Sequence, residues 1–167
     1  MKQKILDVTC GTRSIWFDKE HPLALYCDRR REHHERDFGK GTGGHKVASI
    51  DPDVLCDFTS LPFADNSFSL VVFDPPHVLN LSDKAWMKNL YGTYASEEEM
   101  MDNITKGFHE CMRVLKPDGV LVFKWADTSI PAAKIIKAFG QQPLFGHKSG
   151  IKMNTHWMCF MKLEDEG

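Results

Sequence analysis

Residues 74–77 read Asp-Pro-Pro-His and come directly after an apolar run. A carboxylate so placed can accept hydrogen bonds from an amine or a hydroxyl. The two prolines stiffen the turn and remove backbone donors that would compete for the same acceptors. The plain alternative is an ordinary turn that ends a strand. Asp7, Asp28 and Asp57 also follow short apolar runs, and Lys124 ends another. A lysine where a buried strand meets a cleft can position a phosphate or, with a depressed pKa, take a proton; otherwise it is a surface lysine. Asp28 lies about twenty residues past the first turn, the offset at which an acidic residue meets ribose hydroxyls in nucleotide-binding folds. Any one of these aspartates could instead cap a following helix, but the ordered set is hard to explain that way.

The elements that must hold these residues alternate in type. Runs at 5–8, 23–27, 54–56, 69–73 and 120–123 read as strands, and 144–148 and 156–163 as a closing pair. The fourth is apolar without interruption, as a strand covered on both faces should be. Helices are expected at 12–19, closed by Pro22, and at 131–139, closed by Gly140. A longer one follows Ser96, whose spacing to Glu99 is that of a capping box. It carries Met101, Ile104, Phe108, Cys111, Met112 and Leu115 at helical intervals and should stop at Pro117-Asp118-Gly119. Segment 31–46, rich in Gly and His, reads as a long loop, and a polar and aromatic loop follows Asp74 to about Ala95. The pattern predicts an α/β fold with a mostly parallel, seven-stranded sheet, helices on both faces and an antiparallel C-terminal hairpin. Ligands on such sheets bind at the carboxyl ends of the strands, where the aspartates fall.

The succession Asp7-x-x-Cys10-Gly11, Asp28, Asp57-x-x-x-Leu61-Pro62-Phe63 and Asp74-Pro75-Pro76-His77 resembles the Rossmann-like class I S-adenosylmethionine-dependent methyltransferases. The resemblance extends over nearly the whole chain, including Leu115-Lys116-Pro117-Asp118-Gly119 before the fifth strand. It implies S-adenosylmethionine as cofactor. Thr9, Cys10, Gly11 and Thr12 would approach its methionine part, with Asp7 supporting that end indirectly. Asp28 would accept from the ribose hydroxyls, Asp57 would face the adenine amine, and Phe58 or Leu61 would pack on the ring. Arg13 stands where the family often has a second glycine. It could pair with the methionine carboxylate, face an anionic substrate, or be a surface arginine.

Within this family, Asp-Pro-Pro followed by an aromatic residue marks methyltransferases that act on planar nitrogen, chiefly exocyclic amines of nucleobases. The resemblance implies that Asp74 and the Pro75 carbonyl accept the two N–H bonds, that Pro76 stiffens the turn, and that His77 stacks on the ring. His77 replaces the usual Tyr, Phe or Trp, which leaves other nitrogen or oxygen acceptors open. Asp74 with Lys124 is also similar to the pairing in ribose 2′-hydroxyl methyltransferases. A small molecule or a protein as substrate, or cofactor binding without catalysis, are the other functions consistent with the fold.

With 167 residues, the chain is expected to be one methyltransferase domain, 1–167, without a separate target-recognition domain. Such an enzyme would need a partner subunit or a second copy, a structured RNA, a loosely defined target or a small substrate. A net charge of −2 excludes a globally basic nucleic-acid coat, but Arg29, Arg30, Arg31, Arg36, Lys40 and Lys46 form a local basic excess, with Lys148 and Lys152 on the late hairpin. That excess favours RNA or DNA as partner; a solvated charged surface is the plain alternative. Trp86, Tyr91 and Tyr94 could form a lid over the substrate. His33, His34, His45 and Asp37 match no zinc framework, and no metal is expected. Five dispersed cysteines, no signal-peptide cleavage site and no apolar stretch of bilayer length lead us to expect a cytoplasmic protein.

Overall fold

The computed structural model describes residues 3–41, 43–82, 85–149 and 154–163. Three short parallel strands open the chain: β1 (Ile5–Asp7), β2 (Ala24–Asp28) and, after an excursion, β5 (Val54–Leu55). β6 (Phe68–Phe73) pairs parallel with β1 and with β7 (Leu115–Ala126). The last two strands, β8 (Phe145–Ser149) and β9 (Thr155–Met161), are antiparallel, and the sheet runs β5-β2-β1-β6-β7-β9-β8. Seven strands, mostly parallel with an antiparallel end, is the sheet expected from the sequence.

The long helix, α2 (Glu97–Val114), begins as its capping residues require. Ser96 Oγ accepts from Glu99 N at 3.1 Å, and Glu99 Oε2 accepts from Ala95 N at 3.0 Å. Its buried residues, Met100, Ile104, Gly107, Phe108, Cys111 and Val114, recur at three and four and face the sheet. Phe108 stacks at 4.0 Å on Phe139 of α3 (Ala132–Phe139), and both pack on Phe160 of β9. Gly107 is needed for close approach: a Cβ there would lie 2.5 Å from Phe58 and 2.7 Å from Phe73.

Three local expectations are corrected. Residues 12–19 form turns rather than a helix, so α2 and α3 share one face of the sheet and the opposite face is met at β1–β2 by Trp16, edge-on to Tyr26 at 5.0 Å. Gly11 and Arg13 take left-handed backbone conformations (φ 49° and 54°), and Arg13 donates to Lys19 O and Asp51 O, folding the segment back on itself. Segment 31–46 lies largely in a two-stranded antiparallel hairpin, β3 (Glu32–Asp37) and β4 (His45–Ile50), standing apart from the main sheet. β3 has no apolar residue, so no alternation betrays it. Finally, α2 stops at Val114 and the chain enters β7 at once. Pro117-Asp118-Gly119 is an irregularity within that strand, with Asp118 at φ 61°. A short helix, α1 (Trp86–Tyr91), interrupts the aromatic loop.

Candidate active site

The carboxyl ends of β1, β2 and β6 converge, and Asp7, Asp28 and Asp74 lie there within one hydrogen-bonded frame. Val8 N donates to Val72 O, Cys10 N to Cys27 O, and Asp74 N to Thr9 Oγ1 at 2.9 Å. The turn after β1 is therefore tied to both neighbouring strand ends. Asp7 organises it from beneath: its carboxylate accepts from Thr9 N (3.1 Å) and from the Trp16 indole N–H (2.7 Å). Trp16 is a partner that no spacing in the sequence announced.

Burial pushes the Asp7 carboxyl up to about 7, against the pull of its two donors and helped by the nearby Asp74 and Asp28. Between the unfolded value near 3.8 and about 7, the folded protein keeps a proton that the unfolded chain releases, so stability falls as pH rises through that window. A gap of about three pH units corresponds to roughly 4 kcal/mol when fully expressed. Asp7→Asn removes this titration. The difference in urea midpoint between wild type and variant is expected to shift against the wild type from pH 4 to pH 8. A difference independent of pH would show that Asp7 is ionised in the fold throughout.

Two chambers adjoin this frame. One is bordered by Thr9, Gly11, Thr12, Asp74, Leu90 and Arg30. The other is bordered by Asp28, Phe58, Pro76, Arg30 and Tyr91. Thr9, Cys10, Gly11, Thr12, Asp28, Phe58 and Asp74 thus each border one chamber or the other. Asp28 is 6% exposed; its Oδ2 accepts from Gly11 N at 3.1 Å, while Oδ1 accepts from the backbone and the Nε of Arg30.

Two expected donor-site residues are placed otherwise. The Arg13 guanidinium lies 3.9 Å over the Tyr26 ring, bound to backbone carbonyls and 3.7 Å from Asp53, and lines an adjoining groove rather than either chamber. It holds the loop together from outside, its positive φ occupying a conformation that glycine would adopt without strain. Asp57 is exposed and caps its own turn, accepting from Thr59 N and Oγ1, and it borders neither chamber.

At the end of β6, Asp74 Oδ2 accepts from Lys124 Nζ at 2.7 Å, while Oδ1 is buried with no hydrogen-bond partner among the described residues. Burial raises the Asp74 pKa above the usual carboxylate value, opposed by the Lys124 charge. Lys124 Nζ also lies 5.6 Å from the centre of the Trp157 ring. His77 sits between Tyr91 (6.1 Å) and the buried Trp125 (6.2 Å), with Nδ1 buried and unpaired among the described residues. Burial holds its pKa below the ordinary histidine value, outweighing Asp74 and the Pro75 carbonyl, so the ring is neutral near pH 7. The two prolines flank this strand end, Pro75 buried and Pro76 half-buried.

The histidines of the hairpin face its own carboxylates: His33 and His45 meet Glu35, and His34 meets Glu32. Much of the basic excess is likewise matched locally, Arg31 by Asp51 and Arg30 by Asp28. Arg36 and Lys46 flank the Phe38 ring near the hairpin tip. Lys152 and the Lys148 side chain lie outside the described residues. No helix among the described residues is long and apolar enough to cross a membrane.

No protein-family model matches the sequence, and a search of curated proteins finds no match. Solved structures do match. The PH0226 protein of Pyrococcus horikoshii superposes with a TM-score of 0.57 at 15% identity, over 96% of this chain and 82% of that one. A SAM-dependent methyltransferase of Methanosarcina mazei gives 0.53 at 13%, over 97% and 93%, and the N-methyltransferase NodS of Bradyrhizobium japonicum 0.53 at 11%, over 97% and 86%. At these identities the likeness is one of architecture: the chain has the Rossmann-like fold that these methyltransferases share.

Proposed function

We propose that the protein is an S-adenosylmethionine-dependent methyltransferase that acts on an exocyclic amine of a nucleobase in RNA or DNA. The observation that carries this reading is the unpaired, buried Oδ1 of Asp74 at a strand end beside the chambers. A buried carboxylate oxygen without a donor carries a free-energy penalty that a substrate N–H would relieve.

The residues present fit the cofactor. Thr9, Gly11 and Thr12 would cradle its methionine part, Asp28 would take the ribose hydroxyls, and Phe58 with Pro76 would flank the adenine. When bound, it supplies a methyl group on a positively charged sulfur that departs neutral. The remaining work falls to the chain. Asp74 Oδ1 and the Pro75 carbonyl accept the two amine N–H bonds and draw the nitrogen lone pair out of conjugation, toward the incoming methyl. Lys124 fixes Oδ2 and favours the ionised carboxylate, whose raised pKa suits Oδ1 to take the proton released when the N–C bond forms. His77, neutral and backed by Tyr91, gives the acceptor ring an aromatic wall. The hairpin, with exposed Lys40 and with Arg36 and Lys46 about Phe38, supports a phosphate-bearing partner.

The Asp74–Lys124 contact favours a second reading, transfer to a ribose 2′-hydroxyl. One experiment tests both. Purified protein is incubated with methyl-labelled S-adenosylmethionine and total RNA, DNA, protein and small-molecule fractions, and labelled nucleic acid is digested to nucleosides. Label on a base is expected; label on ribose would select the second reading. Label confined to protein or small molecules, or to no fraction, would overturn the nucleic-acid assignment.

A further inference from the structure

Arg30 is the residue common to both chambers whose side chain has the most to give up. Its Nε donates to Asp28 Oδ1 at 3.3 Å, its Nη1 to Asn89 O and its Nη2 to Leu90 O, each at 3.3 Å, and Nη1 lies 3.9 Å from Glu32. Asn89 and Leu90 lie in the last turn of α1, where carbonyls have no partner within the helix and a cation is favoured. The same guanidinium therefore ties the carboxylate that would hold ribose to the helix that would have to make room for it. Leu90 O is also 3.6 Å from where a Cβ of Gly11 would stand, so α1 lies directly against the turn after β1.

Among the described residues, α1 buries no residue and has no side-chain N-cap; its Trp86 meets the hairpin edge-on through Phe38 at 5.9 Å and its Tyr91 meets His77 at 6.1 Å. Its C-cap, Gly92, has φ 81°, a conformation open to glycine. The chain beyond is fixed: Thr93 Oγ1 donates to Val78 O and Tyr94 bridges to Leu79. A short helix with no fully buried residue, a glycine and then a fixed segment is the arrangement of a hinged flap.

We infer that Arg30 is a latch that keeps α1 closed over the donor site, and that S-adenosylmethionine enters when its ribose hydroxyls displace Arg30 from Asp28 and α1 turns outward about Gly92. The inference rests on the donor-site reading above. A closed form that must open lowers the apparent affinity in proportion to its population, so weakening the latch should tighten binding.

The test uses Arg30→Met, which keeps the stem and removes the guanidinium, and Arg30→Lys, which keeps charge but cannot bridge. Amide hydrogen exchange of residues 86–92 in the free protein is expected to accelerate about tenfold in Arg30→Met and by less in Arg30→Lys. Calorimetric titration with S-adenosylhomocysteine should show about fivefold tighter binding in Arg30→Met. Unchanged exchange at 86–92 would overturn the latch, whatever the binding result. Accelerated exchange with weaker binding would also overturn it, making Arg30 a donor ligand. If neither wild type nor variant binds S-adenosylhomocysteine, the donor-site reading falls with its entry route, and exchange alone then reports whether Arg30 holds α1.

Discussion

Asp74→Asn is expected to lower methyl transfer by about a thousandfold, the scale of losing a positioned proton acceptor together with its electrostatic orientation of the substrate. Affinity for S-adenosylhomocysteine should stay within about threefold of wild type, because in the proposed reading the carboxylate contacts the acceptor rather than the donor. Asparagine is the informative change. Alanine would leave the half-buried Lys124 without its carboxylate partner, and a loss of activity could then be a loss of fold. Asparagine preserves the packing and an oxygen for Lys124, which a thermal melt would verify.

The pH profile gives an independent check. Burial raises the Asp74 pKa and Lys124 lowers it, so the acid limb of activity should lie above the ordinary carboxylate range and move to higher pH in Lys124→Met. Turnover unchanged in Asp74→Asn would remove Asp74 from the chemistry, and with it the case for a nitrogen acceptor.

Asp28→Ala should behave in the opposite way. Two hydrogen bonds from ribose to a buried carboxylate account for about 3 kcal/mol, so donor affinity should fall about a hundredfold. The rate at saturating donor should change little. Loss of Asp28 also frees Arg30 from its 3.3 Å contact, and easier opening of α1 would offset part of the fall. The measured loss should therefore be larger in the Arg30→Met background than in the wild type. Calorimetry showing normal affinity in Asp28→Ala would take this residue out of the site.

Features that depend on neighbours in the chain were legible in advance. The Ser96–Glu99 capping pair and the apolar run Leu70–Phe73 of β6 are local, and the structure keeps them. Of the expected helical set, Ile104, Phe108 and Cys111 are buried in α2, Met101 and Met112 are partly buried, and Leu115 falls in β7. Helix 12–19 failed because Arg13 sits in a left-handed conformation and finds partners at Asp51 and Tyr26, far along the chain. The β3–β4 ladder was invisible because Glu32–Asp37 buries no side chain, and a strand without a buried face carries no two-residue rhythm. That Asp28, Asp74 and the Thr9–Thr12 turn share one edge could be foreseen because a parallel sheet sends all its strand ends to one edge.

The order of the strands, the aspartates that finish them and the rigid proline pair are written in the chain, since each follows from local periodicity and from φ restrictions on single residues. Which contacts those residues make was decided by folding alone. Arg30 meets a carbonyl sixty residues away, Lys124 meets Asp74 across fifty, and Trp16 turns under Asp7. Such partnerships depend on where the packed backbone leaves an uncompensated carbonyl or a buried charge, and burial of that kind is a property of the assembled molecule rather than of any stretch of sequence.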